Sequence, residues 1–373
     1  MSIAIDSRTL DVPRDQPIVK TGTIKNIQAM RGIASLVVFL GHALLLQPGL
    51  GLDQYFSFFG VFASAGVDIF FVISGFIITT VAMKAGDQDG GRARIAWNFG
   101  VNRFSRIYPV YWIAFALAVA ASHKVQLAPP SLPVDPIWQQ GLLLTHVNTY
   151  IMAAWSLCFE IYFYAVVMLA LLISPKHVGK VLAGWAVLIT LIVAYDMFIG
   201  KNQWVAQVAL SPLTFEFIFG MIVAYLIRRG ITAYAVTAAF IGVVTFLAGA
   251  EYMRHLGWWT LIPWYRVFYS GIPSAFILYA IIAIEYRGMW TFSSRWMALG
   301  DASYSIYVWH QLIFYTILTT ATQRGWVGHV PTPILISLWV VPAFLFGIFS
   351  YWRLEMPMQA WLKKWLLIRR CNS

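Results

Sequence analysis

Long apolar runs separated by short polar breaks dominate this chain. A bilayer core is crossed by about 20 apolar residues in helical form. Ten runs approach that length, and they predict spans at 27–47, 59–83, 106–122, 152–174, 181–199, 207–227, 231–250, 267–285, 299–321 and 333–352. The apolar stretch 137–151 also holds Gln139, Gln140, His146 and Asn148, so it is interpreted as a partly inserted segment leading into the fourth span. The pattern predicts an all-α polytopic membrane protein.

Composition supports this class. The 373 residues are 60% hydrophobic and 11% charged, whereas about 25% charged residues is typical of soluble proteins. The two cysteines, Cys158 and Cys371, argue against a disulfide scaffold and a cysteine-based metal site, and no metal is expected. A net charge of +11 in a soluble protein would suggest nucleic acid. Here it fits lysine and arginine retained on the cytoplasmic side, and no nucleic acid is expected.

The distribution of charge predicts an orientation. With ten spans both termini lie on one side, and that side holds 21 of the 26 lysines and arginines. The other five are Lys124, Lys201, Arg254, Arg266 and Arg324. The positive-inside rule then places both termini in the cytoplasm. The predicted organisation is a cytoplasmic tail over 1–26, a transmembrane domain over 27–352 and a basic cytoplasmic tail over 353–373.

Ionisable side chains inside spans are the main functional signal, because a charge in hydrocarbon is costly. Arg31 and His42 are eleven residues apart in the first span. Eleven helical residues make three turns plus about 20°, so both share one face, roughly 16 Å apart along the axis. Arginine suits phosphate, and histidine suits proton transfer. Separately, Arg31 fits a positive-inside anchor and His42 an interhelical hydrogen bond. Together they favour a site for a long phosphorylated carrier with a reactive distal end.

A second pair of arginines opens the third predicted span. Arg103 and Arg106 are three residues apart, hence on one helix face. Two guanidinium groups on one face make an anion clamp, although contact with lipid headgroups explains them equally well. Pro109 is expected in the first turns of this helix, where proline is tolerated.

Glu160 is the candidate partner of His42. If Trp155 marks the outer interface, Glu160 lies five residues inside it, and His42 is likewise five residues from Gln47. The two side chains are therefore predicted to meet, with the carboxylate orienting the imidazole and stabilising its protonated form. The alternative is a structural carboxylate bonded to neighbouring helices.

Further polar groups fall in two other spans. Asp68 is expected to hydrogen-bond a sugar hydroxyl or to pair with a cation, whereas Ser74 is interpreted as a helix-packing residue. Tyr304, Tyr307 and His310 recur every three residues and form a polar row on one face. That row fits either an acceptor pocket or a hydrogen-bonded core.

Five segments, in this order, resemble the acyltransferase-3 family of integral membrane acyltransferases. They are IQAMRGIASLVVFLGHA (27–43), GVDIFFVISGFIIT (66–79), NRFSRIYPVYW (102–112), WSLCFEIYFY (155–164) and SYSIYVWH (303–310). A terminal Glu-x-Pro match stands at Glu355 and Pro357. Size and the lack of an added soluble domain resemble the exopolysaccharide and Nod-factor O-acetyltransferases of that family.

The resemblance implies transfer of an acyl group, by preference acetyl, from acyl-CoA to a carbohydrate hydroxyl. Acetyl-CoA would be the co-substrate, and a polysaccharide or lipid-linked oligosaccharide the acceptor, at a multi-pass protein of the cell (inner) membrane. The family's motifs fall on Arg31 and His42, on Arg103 and Arg106, and on Trp155, Ser156, Leu157 and Glu160. The family commonly has an acidic residue shortly before the Leu-Arg-Gly of its first motif. This chain reads Gln28-Ala29-Met30-Arg31-Gly32 and lacks that residue.

The resulting hypothesis has three parts. The CoA phosphates meet Arg31, Arg103 and Arg106. His42 takes the proton of the sugar hydroxyl as general base, with Glu160 supporting the imidazolium; an acetyl-histidine intermediate is the open alternative. The predicted substrate-binding residues are Asp68, Trp155, Ser156, Tyr304, Tyr307 and His310.

Two other classes stay open. A proton-coupled secondary transporter of an envelope metabolite would use His42, Glu160 and Asp68 as a proton relay. The missing internal repeat and the few broken helices count against it. A scaffold for envelope assembly is the third class, in which replacement of His42 would be silent.

Overall fold

The computed structural model describes residues 24–45, 53–125, 127, 134–199, 208–256 and 263–367. Most of the predicted N-terminal tail, Gln47, Lys201 and Cys371 lie outside them. The longer helices are α1 Lys25–Leu45, α2 Asp53–Gly86, α3 Arg92–Ala121, α5 Trp155–Ile173, α6 Val178–Phe198, α7 Thr214–Arg228, α8 Ala235–Leu256, α10 Ile272–Tyr286, α11 Ser294–Gln323, α12 Thr332–Ser350 and α13 Met356–Leu366. Short helices are α4 Ile137–Gly141 and α9 Pro263–Arg266, and two π-helical turns span Val267–Gly271 and Tyr351–Glu355. The described residues form no strand, so the predicted all-α class is confirmed.

Eight helical stretches of the described chain are long and apolar enough to cross a membrane. The predicted spans 207–227 and 299–321 correspond to the two remaining long helices, α7 and α11. The first has only 15 residues of α-helix, and the second has 30 residues that include many polar side chains. Both helices are packed inside the bundle, where a polar helix finds protein partners instead of lipid. The count of ten spans and the orientation stay predictions.

Close helix packing forms the centre of the bundle. Helices α1 and α11 run in the same direction, since Arg31 bonds Ser303, and His42 meets His310 about three turns further along α1 and about two turns further along α11. A Cβ atom at Gly300 would lie only 1.8 Å from the carbonyl oxygen of Gln28, so this crossing requires a glycine. Small residues at a crossing let two backbones approach, which is how helices associate in membranes. The result fixes the register of the α1 and α11 side chains.

Helix α3 differs from its prediction. It begins at Arg92, well before the predicted start at residue 106, because residues 92–102 continue an amphipathic pattern with Ile95, Ala96 and Phe99 buried. Arg103 and Arg106 therefore lie in the middle of a 30-residue helix and not at its opening. The expectation that Pro109 falls in the first turns is wrong for the same reason.

The stretch 137–151 is mostly irregular, with one short helix at its start. Buried side-chain amides accept hydrogen bonds from its backbone N–H groups. Gln140 Oε1 accepts from Thr149 N–H at 2.9 Å, and Asn148 Oδ1 accepts from Ile151 N–H at 2.8 Å. Tyr111 of α3 donates to the carbonyl of Gln140 at 2.7 Å. Irregular backbone at such a place is tolerated where protein buries it. The stretch ends in the turn that leads into α5.

Candidate active site

A cavity of about 570 Å³ lies between helices α1, α2, α3, α5 and α11. Part of its lining is apolar and includes Val67, Phe70 and Phe71. Its polar lining consists of Arg31, Ser74, Arg106, Ser156, Glu160, Ser303, Tyr304 and Tyr307. Ligand sites in proteins are usually concave, mostly apolar pockets with a few placed polar groups. Six of the eleven predicted site residues line this one cavity.

Arg31 is held in place by neutral partners. Its guanidinium donates to Gln28 Oε1 at 2.8 Å and to Ser303 Oγ at 3.1 Å, and the residue is 7% exposed. Gln28 in turn donates to Asp301 Oδ1 at 2.5 Å. Guanidinium has five N–H donors, so donors remain for a ligand. Asp301 of α11 thus holds the amide that contacts Arg31.

The two arginines of α3 have different surroundings. Arg106 lines the cavity with Arg31 and has no hydrogen bond to any described residue. Arg103 packs its guanidinium against the rings of Phe99 and Tyr164, 5.8 Å from each ring centre. Its Nε is buried and finds no partner among described groups. Two arginines therefore converge on the cavity, and they are Arg31 and Arg106.

Glu160 lies on the cavity wall but does not meet His42. Its Oε1 accepts from Tyr164 at 2.5 Å and lies 3.5 Å from Ser74 Oγ. No hydrogen bond joins Glu160 to His42 among the described residues. The expected pairing is therefore not made, because α5 presents Glu160 at the level of Arg106, nearer the Arg31 end of α1 than the His42 end.

His42 instead pairs with His310. His42 Nδ1 lies 2.9 Å from the carbonyl oxygen of Val38, and His310 Nδ1 lies 2.6 Å from that of Tyr307. A carbonyl oxygen only accepts, so each neutral ring carries its proton on Nδ1. His310 Nε2 is then a bare acceptor, 3.4 Å from His42 Nδ1. His42 Nε2 is left unprotonated, as a base requires.

The remaining predicted residues lie on the cavity wall or next to it. Ser156 Oγ lies 2.7 Å from Tyr307 Oη, and Tyr307 donates to the carbonyl of Ala153 at 2.6 Å. Tyr304 donates to the carbonyl of Ile107 at 2.6 Å. His310 is fully buried and lies off the cavity wall, with its ring centre 5.8 Å from that of Tyr307. Tyr307 therefore lies next to both the cavity and His310.

Asp68 and Trp155 lie just outside the cavity. Asp68 is fully buried and forms an ion pair with Arg266, which realises the second of its two interpretations. The Arg266 guanidinium lies over the Trp155 ring, 5.1 Å from its centre. Neither side chain is among the groups that line the cavity. Asp68 is thus unavailable to a sugar hydroxyl in this structure.

Sequence reasoning missed several groups of the site. Ser74 was interpreted as a packing residue, yet it lines the cavity. Arg266 was counted among far-side loop charges, yet it is 7% exposed. Glu355 accepts from Ser305 at 2.7 Å and is buried beside α11. The Glu-x-Pro match was the sequence signal that pointed to Glu355. The described residues hold no group of side chains suited to bind a metal ion.

The fold and the cavity define a polytopic membrane protein with a buried polar site. The sequence model of the acyltransferase-domain family (acyltransferase-3) matches residues 24–354, and the chain belongs to that family. It is therefore a membrane acyltransferase by family, and the resemblance of its motifs is confirmed.

Two curated relatives are similar over most of their length. The exopolysaccharide production protein ExoZ of Rhizobium meliloti (strain 1021) is 26% identical over 303 residues, covering 79% of this chain and 89% of ExoZ. The putative membrane-bound transacylase BcsY of Komagataeibacter xylinus is 24% identical over 367 residues, covering 93% of this chain and 82% of BcsY. No solved structure gives a significant match.

Proposed function

We propose that this protein transfers an acyl group, by preference acetyl, from acyl-CoA to a hydroxyl of an exopolysaccharide or related envelope carbohydrate. The family supports acyl transfer, and the name of ExoZ, an exopolysaccharide production protein, supports a carbohydrate acceptor. The proposed location is the cell (inner) membrane, with the donor on the cytoplasmic side.

The donor would occupy the cavity. Arg31 and Arg106 leave donors unengaged, and guanidinium groups bind phosphate with strong charge-assisted hydrogen bonds. From these arginines the pantetheine arm would extend along α1 toward Tyr307. The apolar wall of Val67, Phe70 and Phe71 suits such an arm, because its methylene groups are removed from water there. This arrangement brings the thioester close to the histidine pair.

His42 would act as the general base. His42 is partly exposed, whereas His310 is fully buried, so His42 is the histidine that an acceptor hydroxyl would approach. The hydroxyl proton moves to His42 Nε2, the oxygen attacks the thioester carbonyl carbon, and the C–S bond breaks. The thiolate then takes the proton from His42, so the products are the ester and free CoA thiol. Such a base contributes typically about 10²- to 10⁴-fold to the rate.

His310 takes the place that was first assigned to Glu160. When His42 becomes an imidazolium, its Nδ1–H is shared between the Val38 carbonyl and the bare His310 Nε2. Two acceptors at Nδ1 fix the ring and stabilise the charge, which is the task of the third member of a catalytic triad. Glu160 is left to act at the arginine end, where it adds negative charge near Arg31 and Arg106.

One observation carries the proposal: a histidine whose Nε2 has no hydrogen bond to the described residues lies on the same helix as an arginine that lines a cavity with a second arginine. The test is the O-acetyl content of envelope and secreted glycans, measured by proton NMR. The strains are wild type, a deletion, and the deletion complemented with His42→Ala or with His255→Ala. His255 is the matched control because its side chain is 67% exposed.

We expect the acetyl signal to be lost in the deletion and in His42→Ala, and to return with His255→Ala. Membrane abundance of each variant is measured by immunoblot. A full acetyl signal with abundant His42→Ala protein would remove the proposed base. An unchanged spectrum in the deletion would contradict glycan acetylation as the function.

A further inference from the structure

Three charged side chains are buried together beside Trp155, outside the cavity. Asp68 of α2 and Glu216 of α7 have no exposed surface, and Arg266 is 7% exposed. Arg266 Nε donates to Asp68 Oδ1 at 3.1 Å, and its Nη2 donates to the same oxygen and to the Ser64 carbonyl at 3.4 Å. Arg266 ends α9 and directly precedes the π-helical turn Val267–Gly271. Such turns often mark functional positions in helices.

The carboxyl groups of this cluster are not fully paired. Asp68 Oδ2 and both oxygens of Glu216 are buried without a donor among described groups. The Glu216 carboxyl is close enough to Asp68 and Arg266 to interact electrostatically with both. It also packs against Gly271, where a Cβ atom would lie 2.9 Å from Glu216 Oε1. The backbone of the π-helical turn therefore leaves room for this carboxyl beside Asp68.

Charge counting indicates how the cluster is satisfied. Two carboxylates against one guanidinium leave a net negative charge in a dry site, and an unpaired buried carboxylate is costly. One proton on Glu216, donated to Asp68 Oδ2, pairs one oxygen of Glu216 with the unpartnered oxygen of Asp68 and makes the cluster neutral. Carboxyl pairs that face each other commonly share a proton in this way.

Arg266 connects this cluster to the wall of the cavity. Its guanidinium lies over Trp155, the first residue of α5, and the next residue, Ser156, lines the cavity. The other side of the same turn is tied to α11, because the Ala153 N–H donates to Gln311 Oε1 at 2.5 Å and its carbonyl accepts from Tyr307. Residues 153–156 are therefore held between α11 on one side and Arg266 on the other.

We propose that Arg266, with Asp68 as its charged partner and Glu216 as a neutral, proton-carrying one, is a positioning residue that fixes Trp155 and Ser156 at the reactive end of the cavity. This inference rests on the proposed function, in which the thioester lies near Ser156 and Tyr307. Displacing this wall misplaces the thioester, and a 1 Å error in reacting geometry costs about 10²-fold in rate. Arg31 and Arg106, which are proposed to bind the phosphates, are left in place.

The test is a set of purified variants measured for turnover, for CoA dissociation constant and for thermal midpoint in detergent. Glu216→Gln replaces a protonated carboxyl with a neutral isostere, so turnover is expected to stay within about twofold. Asp68→Asn leaves Glu216 to ionise as the replacement counter-ion, and about a tenfold loss of turnover is expected. The double variant leaves Arg266 without a counter-ion, so its loss of thermal midpoint is expected to exceed the sum of the single losses.

A triple variant, Asp68→Asn, Glu216→Gln and Arg266→Gln, separates positioning from stability. It removes every charge, so the thermal midpoint is expected to recover relative to the double variant. Turnover is expected to stay at least about tenfold below wild type, since the cation over Trp155 is gone, while the CoA dissociation constant stays unchanged. Recovery of turnover together with stability would overturn the positioning role.

Two other results would overturn the charge assignment. One is a loss of turnover in Glu216→Gln as large as that in Asp68→Asn, and the other is an additive loss of thermal midpoint in the double variant. The second is judged on the thermal midpoint alone, which needs no substrate. Failure of the proposed function appears differently, as wild-type protein with no acyl transfer. The outcomes for the charged cluster and for the reaction are therefore distinguishable.

Discussion

The two ends of the α1–α11 contact differ in how their polar groups are satisfied. At one end Arg31 has two neutral partners, Gln28 and Ser303, and lines an open cavity. At the other end His42 and His310 bond backbone carbonyls and each other. The first end keeps donors free for an anion, whereas the second fixes two rings and leaves one basic nitrogen.

This difference indicates a division of labour along one helix pair. A phosphate site needs several donors and tolerates some movement, because the charge supplies much of the attraction. A general base needs one nitrogen in a fixed place and tautomer, because proton transfer depends on hydrogen-bond geometry. Variants at the two ends should therefore separate turnover from donor binding, and a failure to separate them would break the comparison.

The largest effect is expected from His42→Ala. Removing the base should lower turnover by about 10²- to 10⁴-fold. The dissociation constant for CoA should stay within about twofold, because the change lies roughly 16 Å along the helix from Arg31. The measurements are initial rates of CoA release and titration calorimetry on the purified protein, with His255→Ala as control. Equal loss of turnover and of binding would place His42 at the donor site instead.

The neighbouring ring sharpens this result. His310→Gln keeps a polar group near His42 but replaces the bare Nε2, so its turnover is expected to fall between those of wild type and His42→Ala. A loss as large as that of His42→Ala would give His310 a direct part in the reaction. No loss would leave the Val38 carbonyl as the sole orienting acceptor.

An opposite pattern is expected at the arginine end. A hydrogen bond to a charged group contributes about 1.5–3 kcal/mol, so Arg31→Ala should weaken CoA binding by about 10- to 100-fold. Turnover at saturating donor should fall far less. Titration calorimetry measures the CoA dissociation constant. Arg106→Ala should weaken CoA binding in the same way, because Arg106 lines the same cavity.

Arg103 provides the contrast on the same helix face. Its guanidinium packs against Phe99 and Tyr164 and does not line the cavity. Arg103→Ala should therefore lower the thermal midpoint more than it changes the CoA dissociation constant. An unchanged dissociation constant in Arg31→Ala, or a larger loss of binding in Arg103→Ala than in Arg106→Ala, would contradict the assignment of the anion site.

Spacing within one helix was the most reliable guide from sequence. The eleven-residue interval between Arg31 and His42 predicted a shared face, and both side chains do meet α11. The row Tyr304, Tyr307 and His310 was also predicted as one face, and its members lie at the cavity or beside it. Helical periodicity is a property of the chain itself, so these relations needed no knowledge of the neighbouring helices.

Contacts between helices were not predictable in the same way. Depth estimated from Trp155 placed Glu160 beside His42. Helix tilt and register decide which side chains meet, and both depend on the neighbouring helices and not on the sequence of one helix. The pairing of Arg266 with Asp68 was missed for a similar reason, because a count of charges per side does not show which side chains meet. The chain of hydrogen bonds from Asp301 of α11 through Gln28 to Arg31 was likewise not predicted.

The smallest effect is expected at Asp301. Asp301 holds Gln28, and Gln28 holds Arg31. Asp301→Asn keeps an oxygen acceptor for Gln28, so CoA binding should stay within about twofold. Asp301→Ala removes the acceptor and frees Gln28. Losing one hydrogen bond of about 1 kcal/mol should weaken binding about fivefold.

Asp87 gives the matched control for this last pair, because its carboxylate is 61% exposed and pairs with Arg228 away from the cavity. Asp87→Ala should leave the CoA dissociation constant unchanged. If Asp301→Asn proved as harmful as Asp301→Ala, the negative charge of Asp301 would contribute to CoA binding in addition to its hydrogen bond with Gln28. If neither had an effect, Ser303 alone would be sufficient to orient Arg31, and the α11 carboxylate would have no part in donor binding.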